Sequence, residues 1–390
     1  MTRRTADVLA AARKHDLAAA VATKHVIVCT GAGGVGKTTA AAALALAAAR
    51  EGRRTIVLTI DPARRLAQSL GLRSLDNTPR PVKAVPGLDA MMLDMKRTFD
   101  EVIDRHASDR RRAEAIKSNR FYRQLSNSLA GTQEYMAMEK LYDLHAGGAY
   151  DCIVIDTPPT RNALDFLDAP KRLTDFLEGR FLKMFLSPGL AAGRTVGRVA
   201  AFGTGIFMKA ASRITGAGVL GDLAEFFQSM EGMYEGFKNR AQSVYRLLQS
   251  HDSAFVVVAS PETPALREAR YFLQRLAQDG MPTAGLVVNR TTPPAPEALA
   301  HLTRPRAEAA ARRLADGGPE HRAAAALLEL HADRVDVHRR EQRAVIAALH
   351  NVNPRALIEV PLMGSDVHDI AGLDAIEAYL VASEPSRSAP

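Results

Sequence analysis

Residues 31–39, "GAGGVGKTT", lie between an apolar, β-branched run, "HVIVC" (25–29), and an alanine-rich run, "AAAALALAAA" (40–49). The order is strand, glycine turn, helix. The stretch fits two templates. As G-x-G-x-x-G it is a dinucleotide-binding turn, and as G-x-x-x-x-G-K-[ST] it is a phosphate loop for a nucleoside triphosphate. Asp61, at the end of the second strand, sits where a ribose-binding acid would stand and so suits the first template. A dinucleotide turn, however, has no use for Lys37, Thr38 and Thr39 after its last glycine. In a phosphate loop, the backbone N–H groups of Gly33, Gly34, Val35 and Gly36 and the helix N-terminus point at phosphate oxygens. Lys37 supplies a cation to the β- and γ-phosphates, and the Thr38 hydroxyl binds Mg2+. Asp156, in "CIVIDTPP", ends another strand and has the place of the acid that holds Mg2+ through water. As alternatives, Asp61 and Asp156 are simply turn residues at strand ends.

Working outward, seven short strands are predicted: 25–29, 55–60, 90–94, 152–157, 254–260, 284–289 and 356–360. Several are continuous apolar runs, as in strands covered on both faces. Helical stretches separate them, so the expected fold is α/β: a doubly wound, mostly parallel sheet. The expected organisation is one phosphate-loop ATPase domain over 1–390. Its core spans about 22–97, 150–160 and 252–382, with helical inserts at about 98–149 and 161–251 and a disordered tail at 383–390. Long structureless connections are uncommon inside a domain, which is why the two inserts are read as a helical layer. Residues 160–240 hold nine of the 13 phenylalanines, and 189–221 hold eight glycines. That pattern is read either as a hydrophobic groove for a partner or as plain core. Residues 320–350 read as one long charged helix.

The 390 residues are 47% hydrophobic and 24% charged, which excludes a disordered chain and allows a sizeable core. The two cysteines, Cys29 and Cys152, fall inside strands and read as buried apolar groups of a reducing compartment. With no C-x-x-C and only two cysteines, a cysteine-based zinc site within one chain is not expected. The first 20 residues are charged every few positions and lack the apolar centre of a secretory signal, and no apolar run approaches 18 residues. A cytoplasmic protein is expected. The net charge of +8 is spread widely, which suits a solvated surface better than a nucleic-acid face, and no nucleic-acid partner is expected.

Taken together, these blocks resemble the family of the arsenite-pump ATPase and the tail-anchored-protein targeting ATPase. "GAGGVGKTT" is similar to its deviant Walker A loop. "TIDPARRLAQSLG" resembles its switch I, "AGTQE" (130–134) its Pro-Gly-x-x-Glu segment, and "IDTPPTRNALDFLDAP" its switch II. "VVNR" and "VPLMGSDVHDIAGL" resemble the two segments that enclose adenine. The blocks run in the family's order from about residue 25 to 380. The resemblance implies a Mg2+-dependent ATPase that works as a dimeric switch. It implies that Asp61 orients the attacking water, that Asn289 hydrogen-bonds the adenine, and that Pro361 and Leu362 pack on it. Asn289 is otherwise read as a turn cap.

Three departures matter. Ala32 stands where the family has the lysine that reaches across the dimer. Arg161 replaces a glycine of switch II and is read either as a substitute cation or as a surface arginine. The C-x-x-C zinc clamp is absent, as are the clustered thiols used for arsenite. The expected partner is a second ATPase chain, with a lysine-bearing paralogue favoured over a homodimer. A hydrophobic protein client and a peripheral membrane partner are further expectations. A weakly active nucleotide-binding subunit and a DNA-associated partition ATPase remain as rivals.

Overall fold

The computed structural model of the chain describes residues 15–61, 65–120, 122–123, 132–158, 168, 226, 228–230, 232–296, 299, 301–349, 352 and 356–381. Its strands are β1 (Val26–Gly31), β2 (Thr55–Thr59), β3 (Arg80–Pro81), β4 (Leu88–Met92), β5 (Cys152–Asp156), β6 (Ser253–Ala259), β7 (Thr283–Thr291) and β8 (Leu357–Pro361). They form one sheet in the order β3-β4-β2-β5-β1-β6-β7-β8. All neighbours are parallel except β3, which runs antiparallel to β4 at the edge. The seven predicted strands are all present. The short β3, an exposed Arg-Pro pair, carries no apolar signal and was not predicted.

The helices named below are α1 (His15–Thr23), α2 (Lys37–Arg50), α3 (Arg65–Ser69), α4 (Met95–His106), α5 (Arg110–Ser118), α6 (Thr132–Ala146), α7 (Tyr234–Gln249), α8 (Thr263–Gln278), α9 (Arg304–Leu314), α10 (Pro319–Ala348) and α11 (Ile370–Val381). Successive strand residues face opposite sides, so the sheet builds two cores. Val26 and Val28 point into one, with Phe99 and Val102 of α4, Met136 and Leu141 of α6, Phe237 of α7 and Phe272 of α8. Ile27 and Cys29 point into the other, with α1, α2, α3 and α11. The doubly wound reading is thus realised. α5 and α6 fall within the first expected insert, α4 begins three residues before its expected start, and α7 falls at the end of the second. Most of the glycine- and phenylalanine-rich stretch lies outside the described residues; Phe226 and Phe237, which are described, are buried in the first core.

α2 shows why an alanine-rich segment belongs at the centre. Alanine has the highest helix propensity, and its small side chain lets a helix sit flat between the sheet and α11. Residues Ala40–Ala49 are all buried. Both cysteines are buried and free, and burial raises their thiol pKa, that of Cys152 to about 11. The long predicted helix at 320–350 is α10, Pro319–Ala348. No helix among the described residues is long and apolar enough to cross a membrane.

Candidate nucleotide site

After β1, the chain visits β2, β3 and β4 on one side, then returns to β5. It then passes to β6, β7 and β8 on the other side. β1 is therefore the strand about which the winding reverses, and ligands of open parallel sheets bind beyond the carboxyl ends of the strands at such a point. Residues 31–36 lie there. At Gly31, a Cβ would come within 2.0 Å of the Val258 carbonyl oxygen, so only glycine lets β1 and β6 run side by side into the turn. Gly36 caps α2 in the left-handed region (φ 98°) without a side-chain hydrogen bond. The first turn of α2 contains no acidic residue. The helix thus begins with N–H groups and its positive dipole end directed at the loop, the arrangement that attracts an anion. Gly33 and Gly34 are exposed on the outside of the turn.

Lys37 is buried, and its ammonium donates to the Ala32 carbonyl at 2.7 Å. Burial lowers its pKa, while the carboxylates of Asp156, Asp61 and Glu268 act against that shift. Asp156 has no solvent exposure. Burial pushes its carboxyl up to about 6, although the hydroxyls of Thr38 and Thr59 and the Lys37 cation pull it down. Thr59 donates to its Oδ2 at 2.9 Å. Oδ1 is buried without a hydrogen-bond partner. An orphaned carboxylate oxygen near the Thr38 hydroxyl fits a hard divalent cation whose other ligands are phosphate oxygens and water. Among the described residues no group of three or more His, Cys, Asp or Glu could hold a metal by itself.

Asp61 stands two residues beyond the end of β2, and its N–H donates to Thr59 Oγ1 at 3.2 Å. Thr59 thus ties the backbone at Asp61 to the Asp156 carboxylate. Gln133, at the start of α6, donates from Nε2 to the Ile60 carbonyl at 2.8 Å. The described part of the "AGTQE" segment is therefore attached to the residue before Asp61. Thr157, the first residue after β5, donates from Oγ1 to the Cys29 carbonyl at 2.9 Å. Arg161 lies outside the described residues.

Beside this end lies a cavity of about 430 Å³, lined by Gly36, Thr38, Thr39, Asn289, Pro361 and Leu362, with Arg65, Gln68, Arg290 and His368 among its other walls. The three residues expected around adenine therefore share one cavity with Thr38 and Thr39. Asn289 donates from Nδ2 to the Val35 carbonyl at 2.8 Å, joining β7 to the phosphate loop. Sequence reasoning missed Arg65 and Gln68, on the short α3, and Arg290, Asp366 and His368. A clue existed for Arg290, which is the last letter of the "VVNR" block. Asp366 and His368 likewise fall in the "VPLMGSDVHDIAGL" block; for Arg65 and Gln68, the lining depends on how α3 folds back, which no local pattern encodes.

A parallel sheet wound about such a loop, with a buried strand-end carboxylate next to it, defines the class of phosphate-loop nucleoside triphosphatases. Comparison with known proteins narrows the class. The chain belongs to the family described as anion-transporting ATPase, which matches residues 24–315. Membership makes it an ATPase. An uncharacterised protein of Streptomyces coelicolor is 30% identical over 291 residues, covering 73% of this chain and 67% of that one. The ATPase GET3 of Malassezia globosa is 27% identical over 270 residues, 69% of this chain and 73% of the relative. The arsenical pump-driving ATPase of Acidiphilium multivorum is 26% identical over 272 residues, which span 68% of this chain but only 39% of the relative.

Proposed function

We propose that the chain is a Mg2+-dependent ATPase that works as a dimeric switch and drives rearrangement of its helical layer. The observation that carries this reading is the Gln133–Ile60 hydrogen bond, which attaches a helix of that layer to the residue next to Asp61. In this reading Gly33, Gly34, Val35, Gly36, Lys37, Thr38 and Thr39 hold the phosphates. Asn289, Pro361 and Leu362 hold the adenine. Thr38, directly, and Asp156, through water, hold Mg2+, which would supply positive charge to the β- and γ-phosphate oxygens. Asp61 orients the attacking water. Lys37 leaves the Ala32 carbonyl for phosphate, where its charge has more to stabilise. Ordering of the Asp61 segment by the γ-phosphate then reaches α6 through Gln133.

The test is hydrogen exchange of α6 with a non-hydrolysable ATP analogue and with ADP. Protection of the first turn of α6 should differ between the two states. Identical exchange, with both nucleotides bound, would sink the coupling.

Ala32 supports a second reading on the nature of the dimer. It is buried, packs in the same cluster as Val35, and carries no cation. A paralogous chain with lysine at that position would complete the site of this one. Mixing the two chains should then raise ATPase activity above the sum of each alone. A fully active homodimer in which Ala32→Lys changes nothing would overturn the heterodimer. A hydrophobic protein client of the helical layer, a peripheral membrane partner and a cytoplasmic location complete the proposal.

A further inference from the structure

Arg290 is the only non-glycine among the described residues with positive φ, at 61°. For a residue with a Cβ this conformation costs of order 1 kcal/mol and persists only when the surroundings over-determine it. The surroundings here do so from both sides. On one side Asn289 is pinned to the phosphate loop at the Val35 carbonyl. On the other the Thr291 carbonyl accepts from the Leu362 N–H at 2.8 Å. The register of β7 against β8 slips between Asn289 and Thr291, leaving Arg290 as the extra residue.

Residues 292–294 are held by α10. Glu341 accepts from the Thr292 N–H at 2.7 Å and from its hydroxyl at 2.8 Å. His338 donates from Nδ1 to the Thr292 carbonyl at 3.1 Å. Arg334 donates to the carbonyls of Pro293 and Pro294, each at 2.9 Å. Positions 334, 338 and 341 share one face of the helix. A 30-residue helix thus uses one face of its second half to fix a loop that begins at the nucleotide cavity, which Arg290 lines.

We propose that Arg290 is a base-contacting residue, its planar guanidinium stacking on the purine held by Pro361 and Leu362, and that the α10 clamp keeps it there, Glu341 acting as the positioning residue. This inference rests on the reading of the cavity as the adenine site. Guanidinium suits the task because it is planar, permanently charged and weakly hydrated, so it stacks on an aromatic face at small desolvation cost.

The experiment is calorimetric titration of full-length protein with Mg-ATP and with Mg-ADP. Wild type is measured first: no ATP binding there refutes the adenine reading itself, and this inference with it. Given wild-type binding, Arg290→Ala and Arg290→Lys should each weaken ATP and ADP alike, by about five- to tenfold. Arg290→Gly should weaken both nucleotides equally while leaving the melting temperature unchanged or higher, because glycine removes the strain with the side chain. Unchanged affinity in all three variants overturns the contact. A loss confined to ATP places Arg290 at the γ-phosphate and overturns the stacking. Glu341→Ala should lower affinity and raise KM with little change in kcat, and Arg290→Ala with Glu341→Ala together should cost no more than Arg290→Ala alone. If the two losses multiply, Glu341 does not act through Arg290 and the clamp half of the proposal fails.

Discussion

The two ends of the site are built in different ways. The phosphate end is made by one continuous segment, Gly31 to Thr39, running from β1 into α2. The base end, as the proposed function assigns it, is a cavity assembled from three separate pieces of chain: α3, the end of β7 and the segment after β8. At the phosphate end backbone geometry does the work. Gly31 is required by close approach and Gly34 and Gly36 by left-handed φ, and both Lys37 of the segment and Asp156 of the neighbouring β5 are buried. At the base end side chains do the work, and the wall is open, with Leu362 59% exposed. A local, backbone-built site binds what every nucleotide has in common. A site assembled from distant pieces can vary the base contacts without disturbing the loop.

The comparison breaks most sharply at Lys37. Lys37→Ala removes a buried cation facing the carboxylates of Asp156 and Asp61, and ATP affinity should fall about 10³-fold, the scale for losing one partner of a buried charged contact. Calorimetry giving the wild-type affinity would mean that the loop is not the phosphate site.

Asp61→Asn comes next. ATP affinity should stay near wild type while turnover falls about 10²-fold, as expected for a group that positions the nucleophile. Steady-state and single-turnover assays separate the two, and unchanged turnover removes Asp61 from the mechanism.

Asp156 sharpens the comparison through pH. Its folded pKa is raised to about 6 from an ordinary 3.8. The folded state therefore binds the proton more tightly than the unfolded chain does. The Asp156 contribution to stability without nucleotide, read as the difference between wild type and Asp156→Asn, should fall as pH rises between about 4 and 6, by roughly 3 kcal/mol, and stay level above that. Asp156→Asn should raise the melting temperature at pH 7. In the wild type, Mg-ATP affinity should increase as pH rises through about 6, because the cation needs the carboxylate. Parallel melting profiles of wild type and Asp156→Asn between pH 4 and 7 would contradict the buried carboxyl.

The smallest effect lies where the two ends touch. A Cβ at Gly36 would sit 2.2 Å from the amide nitrogen of Asn289, at a φ of +98°. Gly36→Ala should cost about 1–2 kcal/mol of stability through backbone strain and displacement of Asn289. Asn289→Ala in the same background should recover only the displacement part. Chemical denaturation of the two variants measures the split, and full recovery would show that the backbone at Gly36 carries no strain.

Much of the scaffold could be read in advance. Continuous apolar runs such as "CIVID" and "FVVVA" announce strands covered on both faces, and these are β5 and β6. The alanine run after Thr39 announces a central helix. The phosphate loop is legible because its requirements are local: a turn too tight for Cβ atoms, then a cation and a hydroxyl at fixed steps along a helix. Asp61 and Asp156 were legible as strand ends, and the fold supplies what the sequence lacks: that Thr59 joins them.

The amino-acid sequence by itself determined seven of the eight strands, the central helix and the loop, since each depends on residues within a few positions of one another. Only the tertiary structure decided that Gln133 reaches Ile60, that Asn289 reaches Val35, and that Arg334, His338 and Glu341 close on the loop after Arg290. Those contacts join segments separated by 40 to more than 250 positions. Their partners are backbone carbonyls and N–H groups, which every residue possesses, so no side-chain pattern in the sequence marks where such a bond will land.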